Sequence, residues 1–202
     1  MKALLALAHA IDWLNDRFGK IAAWAVLLSC LISALNAVVR YTLNYSSNAY
    51  MEIQWYLFAV CVMLGAAQVL RLNEHVRVDL VYSRVGTHAK VGIDLFDLLV
   101  FLLPVIGYAA WLSWGFFVVK LTTGMAPADS IASLGFTGYV AKLLTSGEMS
   151  SNSGGLIRWP AALTLPLGFA LVWLQGVAEV TKRVAWLQRR FDMDTHYERP
   201  LQ

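Results

Sequence analysis

At 202 residues, 58% of them hydrophobic and only 14% charged, with a mean hydropathy of +0.57, the chain is too apolar for a water-soluble domain of ordinary type. Its net charge of +3 is small, and its basic residues are scattered over several loops and interleaved with Glu74, Asp79, Asp192 and Asp194, which argues against nucleic acid as a partner. Cys30 and Cys61 both fall within apolar stretches and form no CxxC pair, which argues against a disulfide framework or a dithiol redox centre.

The first element in chain order reads as an amphipathic helix. Leu4, Leu7, Ile11, Leu14 and Phe18 recur at spacings of three and four, with Lys2, His9, Asp12, Asn15 and Asp16 elsewhere on the wheel. Ala8-His9-Ala10 resembles a small-x-small cleavage site, but the apolar core before it is short and charge follows it. The expectation is therefore a helix lying on the membrane surface rather than a secretory leader, with Gly19 and Lys20 turning the chain inward.

Four stretches then follow that contain no Asp, Glu, Lys, Arg or His: residues 21–39, 53–70, 98–119 and 159–178. Each approaches the roughly 20 apolar residues that a helix needs to cross the hydrocarbon core. The predicted fold is thus all-α, a polytopic membrane protein with four transmembrane helices plus the N-terminal amphipathic interfacial helix. Residues 1–190 make one membrane domain and residues 191–202 a polar tail. Lys2, Arg17 and Lys20 precede the first span, Arg71, Arg77, Arg84 and Lys90 follow the second, and Lys182, Arg183, Arg189, Arg190 and Arg199 follow the fourth. The other two connections hold only Arg40, then Lys120, Lys142 and Arg158, so the positive-inside rule places both termini in the cytoplasm.

Polar residues at the span ends are the next signal. Asn36 and Arg40 lie one turn apart on the first span, suited to helix-to-helix hydrogen bonding and interfacial anchoring or to contact with a partner subunit. Glu52 begins the second span, where the helix dipole favours a carboxylate, and Trp55 and Tyr56 suit the headgroup belt. Gln54 and Gln68 should face protein, because an amide facing lipid leaves its hydrogen bonds unmade. Gln68, Arg71 and His75 share one face if that helix continues, and residues 75–82, with Arg77 and Asp79, alternate polar and apolar side chains. That segment reads either as an extended or helical piece dipping into the interface or as a solvated loop.

Further on, Lys90 and Asp94 have i, i+4 spacing, and Pro104 with Gly107 predicts a kink in the third span. The connection 120–158 is the longest, is rich in Gly, Ser and Thr, and faces outward on this topology, with residues 139–144 suited to a short amphipathic turn or helix. On the fourth span, Glu179 has the spacing of an ordinary surface pairing with Lys182 and Arg183.

What the spans lack bears on function. A chain that moves ions or charged solutes unaided keeps an ionisable group at membrane depth, and these spans keep none, so their role reads as scaffolding. No catalytic, metal-ligating or cofactor-binding residues are expected. A membrane anchor of a respiratory enzyme is the alternative reading, but His9, His75, His88 and His196 all fall in loops or tails, where they cannot pair across a haem. The missing embedded carboxylate argues likewise against an autonomous small-molecule exporter.

The ordered set of Glu52-Ile53-Gln54-Trp55-Tyr56-Leu57-Phe58, Leu64-Gly65-Ala66-Ala67, His75-Val76-Arg77-Val78-Asp79 and Ser146-Gly147-Glu148-Met149-Ser150-Ser151-Asn152, running into Gly154-Gly155-Leu156-Ile157-Arg158-Trp159-Pro160, resembles the DctQ-type small membrane subunit of TRAP (tripartite ATP-independent periplasmic) transporters. The resemblance extends from the first helix to about Arg183. It implies two protein partners in a bacterial inner membrane, beside membrane lipid. One is a large DctM-like membrane subunit that performs ion-coupled transport, and the other is a DctP-like periplasmic substrate-binding protein. The small subunit would brace the former and help dock the latter for uptake of an organic acid. On that reading Asn36, Arg40, Glu52, Gln54, Trp55, Gln68, Arg71, His75, Arg77 and Asp79 are candidates for the subunit interface, and Glu148, Ser150 and Asn152 for outer-surface docking. Residues 122–145 look like extra length compared with the connection the resemblance leads one to expect.

Overall fold

The computed structural model describes residues 1–73 and 85–191; the segment with His75, Arg77 and Asp79, and the tail from residue 192, lie outside the described residues. Five helices account for most of the rest: α1 (Lys2–Leu43), α2 (Asn48–Leu72), α3 (Thr87–Thr122), α4 (Ile131–Thr145) and α5 (Trp159–Leu187). All but α4 are long and apolar enough to cross a membrane. These are the four expected spans, each extended by several residues at one or both ends.

The amphipathic segment is not a separate element. α1 runs unbroken for 42 residues through Gly19 and Lys20, and the first span is its second half. Gly19 marks a close approach instead of a bend: a Cβ there would collide with the Gln68 amide on α2. The inward face also differs from the expected one. Ala8, Ile11, Asn15, Gly19, Ala22 and Ala25 are buried, whereas Leu4 and Leu7 are exposed. Small side chains allow the closest helix contact, so they take the inward position and the larger leucines are displaced to its edge.

Element ends follow local rules. Ser47 caps α2 by accepting from the Ala49 amide, and Asn44 and Asn73 end α1 and α2 in the left-handed region, with φ of 50° and 60°. Pro160 occupies the first turn of α5, where its missing N–H costs nothing. Within α3 the distortion announced by Pro104 is a π turn over Leu98–Leu102, just before the proline, in which the Leu103 amide reaches the Leu98 carbonyl. That widened turn sits against α5 at Gly176, where a Cβ would lie 2.7 Å from a Leu102 methyl.

α5 is the hub. It packs on α1, α2 and α3, and α1 also packs on α2, whereas α3 leans mainly on α5. Half of the apolar window of α5 is buried, against 6–11% of the same window in the other three spans. Ala22, Leu64, Ala67 and Leu171 form the core between α1, α2 and α5, and Ala8, Ile11 and Ala178 form a second cluster nearer the termini. Gly168 permits a close crossing of α5 over the α2 backbone, since a Cβ there would sit 2.7 Å from the Met63 carbonyl oxygen. The outward faces of α1 and α3, from Trp24 and Leu35 to Tyr108 and Trp111, are left bare.

Candidate functional site

Alternation of the spans brings the N-terminal turns of α1, the end of α2, the start of α3 and the end of α5 to one end of the bundle, here the near end. Asp12, Asn15 and Asp16 recur along one side of α1, and Gln175, Glu179, Lys182 and Arg183 along one side of α5, at the spacings that make neighbours on a helix. Asn15 and Gln175 are wholly buried, and the Asn15 amide donates to Gln175 Oε1 at 2.6 Å. Gln175 Nε2 in turn donates to Asp12 Oδ1 at 2.8 Å and to Glu179 Oε1 at 3.0 Å.

Charges surround this amide pair. Lys182 Nζ donates to both Asp12 oxygens at 3.2 and 3.3 Å and pairs with Glu179. Arg183 pairs with Glu179 on its own helix and donates to Asp94 Oδ2 of α3 at 3.3 Å, while Arg71 of α2 pairs with Asp16. All four spanning helices are thereby joined at one level. The expected surface pairing of Glu179 with Lys182 and Arg183 is formed, but it is not at the surface: all three side chains are buried, with Asp12 of α1 against Lys182 and Asp94 of α3 against Arg183. A charge taken out of water must be paired and hydrogen-bonded, and here each cation meets at least one carboxylate.

The far end is built around one carboxylate. Glu52, one turn into α2 and buried, accepts from the Ser150 hydroxyl, from Asn152 Nδ2 at 2.8 Å and from the Leu156 amide at 2.6 Å. Residues 146–158 close as a narrow hairpin over the head of α2, with the Ser150 amide donating to the Leu156 carbonyl and Met149 bridged to Ile157. Gly155 lies in the crowded crook of that hairpin, where a Cβ would meet the Ser150 side chain at 2.5 Å. Tyr56 donates to the Ile157 carbonyl and Asn48 to the Ser153 carbonyl, both at 3.0 Å.

A second carboxylate fixes the hairpin to the spans. Glu148 bonds Lys120 at the end of α3, at 2.5 Å, and Arg158 at the start of α5, at 2.8 Å. The lysine hydrogen bond, with Arg158 beside it, holds the Glu148 carboxyl below the ordinary glutamate value. A cleft of about 380 Å³ opens beside this group, between α2, α3 and α5, with Trp55, Phe116 and Leu165 on its apolar wall.

Of the nominated residues, Glu52, Ser150 and Asn152, assigned to two different surfaces from sequence, are one hydrogen-bonded group. Arg71 is drawn into the near-end lock, and Gln68 lies over Gly19. Gln54 is half-buried, and its carbonyl accepts a long 3.5 Å hydrogen bond from Ser29. Trp55 and Arg40 are exposed. Asn36 is half-buried on α1, and its amide oxygen, itself shut off from solvent, has no hydrogen-bond partner among the described residues. Sequence reasoning nominated none of Asp12, Asn15, Asp94, Gln175, Lys182 and Arg183. The available signal was complementary polar spacing on two helices, and it required knowing that α1 and α5 are neighbours.

Among the described residues no cluster of three or more His, Cys, Asp or Glu could hold a metal ion. The family model described as "Tripartite ATP-independent periplasmic transporters, DctQ component" matches residues 29–185, more than three quarters of the chain. No curated protein and no solved structure matches.

Proposed function

The chain belongs to the DctQ component family of tripartite ATP-independent periplasmic transporters, and from that premise we propose that it braces the large membrane subunit of such a transporter and helps seat the substrate-binding protein during uptake of an organic acid. It is a small, multi-pass membrane subunit of a transporter, and its family is not one of enzymes.

The observation that carries the bracing role is the uneven burial of the four spans. α5 holds the chain together, while α1 and α3 keep broad apolar faces for a neighbour. Every titratable group inside the near-end lock is already committed to another residue of the same chain, which fits a part that holds position rather than one that carries cargo. Asn36, half-buried on α1, is an interface candidate together with Arg40, Gln54, Trp55 and Gln68. Glu52 and Arg71 act from within, by fixing the far-end hairpin and the near-end lock. His75, Arg77 and Asp79 complete the proposed interface from sequence alone.

The hairpin carrying Glu148, Ser150 and Asn152 is the proposed seat of the binding protein. The basic residues around the near end support a topology with that end and both termini in the cytoplasm of a bacterial cell and the hairpin outside. Reconstitution tests the reading. Vesicles containing this chain alone should accumulate no organic acid, and vesicles containing it with the large subunit and the binding protein should accumulate it. Transport by this chain alone, or undiminished transport by the other two components without it, would overturn the proposal.

A further inference from the structure

We propose that α4, with the turn before it, lies in the plane of the bilayer at the far end, so that its ligand is the phospholipid leaflet itself. Between Lys120 and Glu148 the sequence holds two charged residues, Asp129 and Lys142. They are bonded to each other, with Lys142 Nζ 2.7 Å from each Asp129 oxygen. The stretch therefore offers no unpaired charge to water or to a protein surface.

What it does offer is apolar. None of the residues of α4 is buried, and Ile131, Leu134, Phe136 and Leu144 are exposed, Phe136 to 70%. A helix with no fully buried side chain, only Tyr139, Val140 and Leu143 of its large apolar residues being half-buried, gains little from packing within its own chain, so its apolar surface must meet something outside it. Fifteen residues, at most about 22 Å even without the break at Gly135, are too few to cross the hydrocarbon layer and are the length of an interfacial element.

The attachment points set its height. Both ends of the 120–158 connection are fixed to the tops of spans: the Glu148 amide donates to the Lys120 carbonyl at the end of α3, and Trp159 Nε1, at the start of α5, donates to the Leu144 carbonyl at 2.9 Å. The surface of α4 thus continues the lipid-facing surface of the bundle. Gly135, with φ 69°, interrupts the helical backbone, and groups freed there need water or headgroups as partners, which keeps the helix shallow. Ser130, Ser133 and Thr137 suit the same depth, and a capping box between Ser130 and Ser133 starts the helix at the polar boundary.

Nitroxide depth measurements test this on the full chain, with Cys30 and Cys61 replaced by alanine and single cysteines introduced by Leu134→Cys, Phe136→Cys and Ser153→Cys. In vesicles of phosphatidylethanolamine and phosphatidylglycerol holding this chain alone, labels at 134 and 136 should be relaxed severalfold more by oxygen than by a water-soluble nickel chelate, with the reverse at 153. Leu144→Cys gives the same reading if Phe136→Cys does not fold. Labels at 134 and 136 that behave like the one at 153 would overturn the proposal. So would oxygen preference that arises only after the other transporter components are added, since the occupant would then be protein.

Discussion

Asn15 and Gln175 stand 160 positions apart in the chain, yet the amide of one donates to the amide of the other at 2.6 Å with both side chains shut off from solvent. The contact fixes which side of α1 faces α5. It also orients Gln175 toward Asp12 and Glu179, so the ion pairs around it inherit their geometry from it.

Replacing Gln175 by leucine should therefore cost more than one hydrogen bond. The Asn15 amide would be left buried without its acceptor, a loss of about 1–3 kcal/mol, and the midpoint of thermal unfolding in detergent should fall. Adding Asn15→Leu to Gln175→Leu should recover part of it, because two apolar side chains leave no orphaned group. An unchanged midpoint in the single variant would remove the amide pair from the account of stability.

Gly168→Val should separate α5 from α2. Even a Cβ at 168 meets the Met63 carbonyl oxygen at 2.7 Å, and a forced fit of this kind typically costs about 1–3 kcal/mol. Gly115→Ala, where nothing lies within 4 Å, is the matched control and should leave the monodisperse yield unchanged. Equal yields for the two variants would contradict the close crossing.

Acidification should loosen the far-end hairpin before it affects the spans. Glu148 titrates below its ordinary value of 4.5 because Lys120 and then Arg158 bond its charged form. Its contribution is fully present above the unfolded value and is lost as pH falls through the lower folded value. Asp129, held down by Lys142, follows the same sign from its ordinary value of 3.8. The protection of the Ser150 and Arg158 amides against hydrogen exchange, taken relative to the intrinsic rate at each pH, should fall below about pH 4.5. In Glu148→Gln those amides should exchange faster at neutral pH and respond less to acid; an unchanged rate at neutral pH would deny Glu148 this role.

Glu52→Leu should free the hairpin while leaving the bundle intact. It removes one acceptor shared by three donors, so proteolysis between residues 145 and 159 should speed up, with unfolding of the spans little altered. Co-purification with the large subunit should persist, whereas binding of the substrate-binding protein should weaken. Retained binding of that protein would remove the hairpin from the docking surface.

The spans were legible in the sequence because hydropathy is a local property and lipid imposes it on every exposed turn. Their ends were less so. Gly19 and Lys20 look like a boundary, but glycine serves equally to admit a neighbouring helix, and only the position of Gln68 distinguishes the two uses. The expected short helix at residues 139–144 is the second half of α4, whose start depends on the Ser130 cap. The near-end lock was hidden for a different reason. Glu179, Lys182 and Arg183 have the spacing of a solvated pairing, and the groups that meet the two cations, Asp12 and Asp94, come from elements distant in the chain.

At 42 residues, α1 is about 63 Å long, roughly twice the thickness of a bilayer's oily interior. A rigid rod of that length magnifies tilt: a slight lean within the lipid becomes a wide sweep of its tip. The ties from Asp12, Asn15 and Asp16 deny α1 that sweep on its own, so any such lean has to carry α5 and the end of α2 with it. Mechanically the subunit answers a push at one membrane surface by tipping as a single stiff strut.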